Sequence, residues 1–111
     1  MIEELYSRQQ ELQLNVPDSV TIVGCGGIGF WAATYAAMSG VSCLFLFDDD
    51  TLEESNRNRL PVCSSSLNRP KVDVTADFIR ALRPDCTIIP IKEKLDGIFL
   101  DVQIDVCYSF I

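Results

Sequence analysis

The stretch TIVGCGGIGFWAATYAAMSG, Thr21 to Gly40, carries four glycines in its first nine residues and is almost wholly apolar after them. Glycine weakens any helix or strand that it interrupts. A cluster of it between two regular elements therefore marks a place where something comes close to the backbone. SVTIVG reads as a strand from about Val20 to Val23. Ile28, Trp31, Ala32, Tyr35 and Ala36 keep the i, i+3, i+4 spacing of a helix from about Gly27 to Ser39. The opposite face of that helix is apolar too, which predicts a buried helix, and Gly40 is suited to its C-terminal cap.

Gly24, Gly26 and Gly29 form G-x-G-x-x-G between this strand and this helix. In such a turn the first glycine permits the tight bend, the second lets backbone approach a phosphate, and the third lets helix and strand pack closely. The phosphate then faces the free N–H groups of the helix N-terminus. Asp48 ends the next apolar run, where an acid can accept from a ribose hydroxyl. The pattern points to a nucleotide, against a ligand-free close-packing turn, and leaves mononucleotide and dinucleotide both open.

Outward from this unit, VSCLFLFD is a second strand, continuously apolar as expected when both sheet faces are covered. DDDTLEESNRNRLPVCSSSLNR is polar, turn-rich and long enough to suggest a functional loop. Pro70 opens a helix that KVDVTADFIRAL continues to about Leu82. CTIIPI and IDVCYSFI read as third and fourth strands, with LDGIFL a short helical turn between them. At the start, Ile2, Leu5, Gln9 and Leu12 share one face of a short helix, in which Glu4 and Arg8 are spaced to pair. Strands alternating with helices imply βαβ units. The fold class is therefore α/β, a Rossmann-like parallel sheet of about four strands with flanking helices.

Composition narrows the function. The 111 residues suffice for one domain, and an apolar fraction of 48% suits a packed core. No apolar run is long enough to span a membrane, and MIEELYSRQQ is unlike a signal peptide. A formal net charge of −7 disfavours nucleic acid and anionic membranes as partners. Five cysteines, an odd number without a C-x-x-C pair, and no histidine speak against a disulfide framework or a zinc site. Reduced thiols in a cytoplasmic setting are the simpler expectation.

The loop after Asp48 separates the nucleotide readings, because an NAD site wants the acid alone and has no need of the cations that follow. Gly24-Cys25-Gly26-Gly27-Ile28-Gly29, Asp48-Asp49-Asp50, Ser55-Asn56-Arg57-Asn58-Arg59, Pro70-Lys71 and the opening Leu5-Tyr6-Ser7-Arg8-Gln9 stand in order along the chain. Together they resemble the ThiF/MoeB/HesA-type adenylyltransferase superfamily, to which the ubiquitin-activating enzymes are related. The resemblance covers nearly all of residues 1–111 and implies the N-terminal half of a ThiF-like, ATP-binding adenylation domain. It further implies activation of the C-terminal carboxylate of a ubiquitin-like or sulfur-carrier protein.

By the same resemblance, Gly24, Gly26, Gly27 and Gly29 line the adenosine and phosphate cradle. Asp48 holds the ribose, with Asp50 beside it. Asn56 contacts the nucleotide, and Arg59 and Lys71 bind the phosphates. Arg8 reaches across a dimer into the partner's ATP site. The cofactors implied are ATP and magnesium, the metal's aspartate being expected beyond residue 111. Arg57, Arg59, Arg69 and Lys71 bracket one loop and are expected to make it locally positive within an acidic chain. Forked guanidinium contacts and a lysine point charge are what phosphoryl transfer asks for.

Plainer readings stand beside these. Arg59 can be a solvated loop charge, Lys71 can face water, and Arg8 can pair with Glu4. Asp49, Glu53 and Glu54 read as a hydrated acidic rim. Tyr6, Trp31 and Tyr35 read as core, and Cys25 as a small filler with no base to activate it. Relative to the family, the segment before the first strand is short and the loop from Arg59 to Lys71 is slightly compressed. The fourth strand stops just before the expected magnesium aspartate, and Gln103 to Ile111 forms an apolar edge. Self-association as a homodimer, or pairing with a complementary half, is therefore expected. The competing functions are a non-catalytic nucleotide-binding or partner subunit and an NAD-binding oxidoreductase fragment.

Overall fold

The structure, a computed structural model, describes residues 5–6, 16–94 and 106–109. Strands β1 (Ser19–Val23), β2 (Cys43–Phe47), β3 (Thr87–Ile91) and β4 (Val106–Ser109) form one sheet in the order β3-β2-β1-β4. Every pairing is parallel, with Val20 opposite both Leu44 and Val106, and Leu44 opposite Ile88. Helix α1 (Gly27–Met38) links β1 to β2, and α2 (Lys71–Leu82) links β2 to β3. β3 lies at the edge of the described sheet, a position that tolerates Pro90 and its missing N–H.

Both helices pack on one face of the sheet. Ala33 and Ala37 of α1 and Val72, Ala76 and Ile79 of α2 join Val20, Ile22, Leu44, Leu46 and Ile88 in a single buried cluster. A second cluster, Phe30, Leu52, Leu60 and Val74, ties the long loop to both helices, with Val62, Leu67 and Phe78 against it. The loop contains two short 3-10 turns, Glu54–Asn58 and Ser64–Ser66.

Helix α2 matches the sequence reading, opened by Pro70 and ended before Pro84. Helix α1 corrects it. Its buried residues are Gly29, Phe30, Ala33, Thr34 and Ala37, whereas Ile28, Trp31, Tyr35 and Met38 are exposed, Ile28 by 72% and Tyr35 by 60%. Gly29, Ala33 and Ala37 recur every fourth residue and let the helix lie close on the sheet. The bulky residues are left on the outer side. Trp31 and Tyr35 are thus not core; they stack on one another with ring centroids 6.1 Å apart.

The end of α1 is closed by Ser39-Gly40-Val41. Gly40 N–H donates to Ala37 O at 3.1 Å and Val41 N–H to Ala36 O at 3.3 Å, the paired bonds of a Schellman motif. Gly40 takes φ +102°, where a side chain would be strained, and the Tyr6 ring lies against it. Tyr6 also donates from its hydroxyl to Asp85 Oδ2 at 3.2 Å. The expected N-terminal helix apart from Leu5 and Tyr6, the turn at LDGIFL and the rest of the Gln103–Ile111 edge lie outside the described residues.

Candidate functional site

Parallel strands bring all their C-terminal ends to one edge, and the chain doubles back there because β4 returns to the far side of β1. Crevices for ligands in such sheets open where the strand order reverses. The glycine turn sits at this edge. Gly24 has φ +96°, a left-handed conformation suited to glycine, and its N–H donates to Phe47 O at 2.7 Å. The turn is thereby fixed to the end of β2.

Asp48 fixes it further. Its Oδ2 accepts the Cys25 N–H at 2.7 Å and its Oδ1 accepts the Asp50 N–H at 2.9 Å. Helix α1 then begins with Gly26 as its N-cap, without a side-chain cap and without an acidic residue in its first turn. A Cβ placed on Gly26 would meet nothing within 4 Å, so the space before this helix end is open. Unclaimed N–H groups and the positive end of the helix dipole favour an anion there.

Lys71 enters from the other side. Residues 50–52 and 68–71 run together as a latch: Leu52 N–H donates to Arg69 O at 2.8 Å, Asn68 N–H to Leu52 O at 2.9 Å, and Lys71 N–H to Asp50 O at 3.0 Å. The Lys71 ammonium is 3.6 Å from Asp50 Oδ2, with the lysine side chain only 12% exposed. Val23, Gly24, Gly26, Phe47, Asp48, Asp49, Asp50 and Lys71 line one cleft of about 300 Å³. Glu93 and Lys94 complete it. The sequence reading missed these two, although a parallel third strand would deliver its next residues to the same edge.

The remaining predicted residues are placed differently. Gly27 and Gly29 do not line this cleft; Gly29 is buried against the sheet. Asn56 is buried, and its Oδ1 accepts the Glu53 N–H at 2.8 Å. The Glu53 carboxylate accepts the Asn56 N–H in return, a reciprocal capping box. Asn56 therefore shapes the 3-10 turn that carries Arg59. Arg59 lies over Gly27 at the start of α1, its Nη1 donating to Ser55 O at 3.3 Å and Asn58 Oδ1 at 3.0 Å. Arg8 lies outside the described residues.

Most of the cations expected to make this loop locally positive are paired with carboxylates. Arg57 pairs with Glu54 at 3.0 Å and Arg69 with Asp77 at 2.7 Å. Of the four cations, Arg59 alone has no carboxylate partner among the described residues. Asp49, Glu53 and Glu54 are exposed. Asp48, Asp49 and Asp50 place carboxylate oxygens within 4.8 Å of one another. With Asp48 engaged by two N–H groups and Asp50 facing Lys71, this set alone does not fit a dedicated magnesium site. Cys25 is fully buried, and burial, then the Asp48 charge, push its thiol up to about 12. That suits a filler and not a nucleophile.

Residues 3–109 match the ThiF family. The chain is 40% identical over 78 residues to the SAMP-activating enzyme E1 of Haloferax volcanii, a match covering 69% of this chain and 29% of that protein. It is 39% identical over 110 residues to an adenylyltransferase and sulfurtransferase of Aspergillus fumigatus, covering 94% of this chain and 22% of that protein. The chain thus spans about a quarter of the length of these curated relatives. In structure it resembles the Escherichia coli tRNA N6-threonylcarbamoyladenosine dehydratase solved in complex with ATP. The TM-score is 0.73 at 26% identity, over 83% of this chain and 41% of that one.

Proposed function

Since the chain belongs to the ThiF family, we propose that it supplies the ATP-binding first half of an adenylation domain, which activates the C-terminal carboxylate of a ubiquitin-like or sulfur-carrier protein. One observation carries this reading. The bare Gly24–Gly26 backbone, the Asp48 carboxylate and the Lys71 ammonium converge on one cleft at the uncapped start of α1.

In this reading the α1 N-terminus and the Gly26 backbone receive phosphate oxygens. Asp48, with lone pairs left on both oxygens, accepts from the ribose, and Asp50 lines the cleft beside it. Lys71 exchanges Asp50 for phosphate. Arg59 meets the negative charge that builds as a carboxylate oxygen attacks the α-phosphorus. The bond from that phosphorus to its bridging oxygen breaks, and pyrophosphate leaves with the electron pair. Donors fixed in advance serve such a step best, because they need no rearrangement as charge develops. Asn56 contributes by holding the Arg59 turn. Any magnesium would be held in part by the phosphate oxygens and would offset their charge.

The acidic chain, net −7, favours a protein tail over a polyanionic RNA as the carboxylate donor. The exposed row Ile28, Trp31, Tyr35 and Met38 supports association with a second copy, whose Arg8 would then serve this cleft. Among the described residues the free thiols Cys25, Cys43, Cys63 and Cys86 suit a reducing cytoplasm. Among the described residues no helix is long and apolar enough to cross a membrane.

ATP–pyrophosphate exchange, run with a small carrier protein ending in a free carboxylate, tests the reading. Exchange dependent on the carrier is expected. ATP binding without exchange would instead indicate the non-catalytic partner subunit. A preference for NAD over ATP would overturn the reading.

A further inference from the structure

Gly27 needs an explanation that the cleft does not give. Its backbone is helical, and among the described glycines only Gly24 and Gly40 have positive φ. Alanine would satisfy that backbone at least as well. Gly27 also stands outside the lining of the nucleotide cleft. A Cβ built on it would meet Arg59: Cδ at 3.0 Å, Cγ at 3.5 Å and Nε at 3.6 Å, the three nearest atoms. Real Cβ contacts are seldom so short, so the arginine stem would have to yield.

We propose that Gly27 is a positioning residue: its missing side chain is the seat on which the Arg59 stem lies, and this seat sets the guanidinium at the start of α1. The inference rests on the proposed role of Arg59 in meeting phosphate charge. Three observations support it. Among the described residues Arg59 is anchored at its tip by just Ser55 O and the neighbouring Asn58. Among the described residues no carboxylate holds it, unlike Arg57 and Arg69. Its own residue is exposed, so little beyond the floor provided by Gly27 limits its rotamers. A methyl group there would displace the stem by a few tenths of an ångström, and the guanidinium, bonded directly to Cδ through Nε, would move with it.

The test uses the full chain and two readouts. The first needs no nucleotide. In the NMR spectrum of the free protein, a nuclear Overhauser contact between Gly27 Hα and Arg59 Hδ is expected; its absence overturns the proposal, whatever ATP does. The second is a double-mutant cycle in ATP binding, with thermal melts as the control for folding. Gly27→Ala should melt no lower than the parent yet bind ATP several-fold more weakly. In an Arg59→Ala background the same change should have no further effect. An equal loss in both backgrounds would show that Gly27 meets the nucleotide directly, and wild-type binding by Gly27→Ala would show that the seat is dispensable; either result overturns the proposal. If the parent chain binds no ATP, the proposed function fails, and the Overhauser contact alone decides the seat.

Discussion

Asp48 and Cys25 are joined across two strands: the aspartate Oδ2 accepts the cysteine N–H at 2.7 Å, at the point where the glycine turn leaves β1. A residue expected to hold a ribose is therefore also part of the frame. Asp48→Ala would strand the N–H of a fully buried residue, at about 1–3 kcal/mol. The expected outcome is a lower midpoint in urea together with lost ATP affinity. Asp48→Asn keeps one acceptor oxygen and should recover part of the stability. An alanine variant as stable as the parent would remove the clamp.

Lys71 should separate the phosphates from the rest of the nucleotide. Its Asp50 partner is 69% exposed, so breaking that pair barely affects folding. Lys71→Ala is expected to weaken ATP by about 10- to 100-fold, the worth of one charge-assisted hydrogen bond. Adenosine binding should be unchanged. Calorimetric titration of both ligands checks this, and parallel losses would place Lys71 elsewhere in the site.

Arg59→Ala should lower carrier-dependent exchange by roughly 10²–10³, as expected for one transition-state donor. Its effect on the melting curve should be slight, because among the described residues Arg59 bonds to just Ser55 O and Asn58 Oδ1. Exchange at the parent rate would take Arg59 out of the chemistry.

The thiols predict an alkaline weakness. Burial pushes Cys25 up to about 12 and Cys86 to about 11, against 9.0 for an ordinary thiol. The unfolded chain therefore loses these protons first. The stabilisation is fully present below pH 9 and is lost as pH rises toward 11–12, by at most about 1.4 kcal/mol per unit for Cys25 and by less for the more accessible Cys86. Stability measured from pH 8 to 11 should fall, and fall less steeply in Cys25→Ala. Equal slopes would refute the titration of Cys25. In alkylation at pH 8, exposed Cys63 should react ahead of buried Cys25 and Cys86.

The outer row of α1 can be tested by charge. Ile28→Glu and Tyr35→Glu alter residues that are 72% and 60% exposed, so the monomer should still fold. Sedimentation should show the parent associating and the double variant monomeric. A parent that stays monomeric at high concentration would sink the homodimer.

Much of this was legible in advance, for traceable reasons. Pro70 fixes where α2 begins and Pro84 bars its continuation, so both ends could be read from local chemistry. The turn, Asp48 and Lys71 were legible because glycine spacing and strand ends are local signals. The outward face of α1 was not. Hydropathy registers Gly29, Ala33 and Ala37 weakly, yet their small volume chose the sheet-facing side. Glu93 and Lys94 reach the cleft only through the pairing of β3 with β2, which no short stretch encodes. Ion pairing of Arg57 and Arg69 likewise depends on rotamers that charge counting ignores.

The latch between residues 50–52 and 68–71 has an evolutionary corollary. Its bonds, Leu52 N–H to Arg69 O and Asn68 N–H to Leu52 O, cinch the neck of everything between them. Leu60 buries itself against Phe30 and Val74 immediately after Arg59. The arginine is thus moored before the outer part of the excursion begins. Doubling a flexible loop adds only about 0.6 kcal/mol of closure entropy. The exposed span from Cys63 to Ser65 is accordingly a cassette in which insertions can accumulate while the cleft keeps its dimensions.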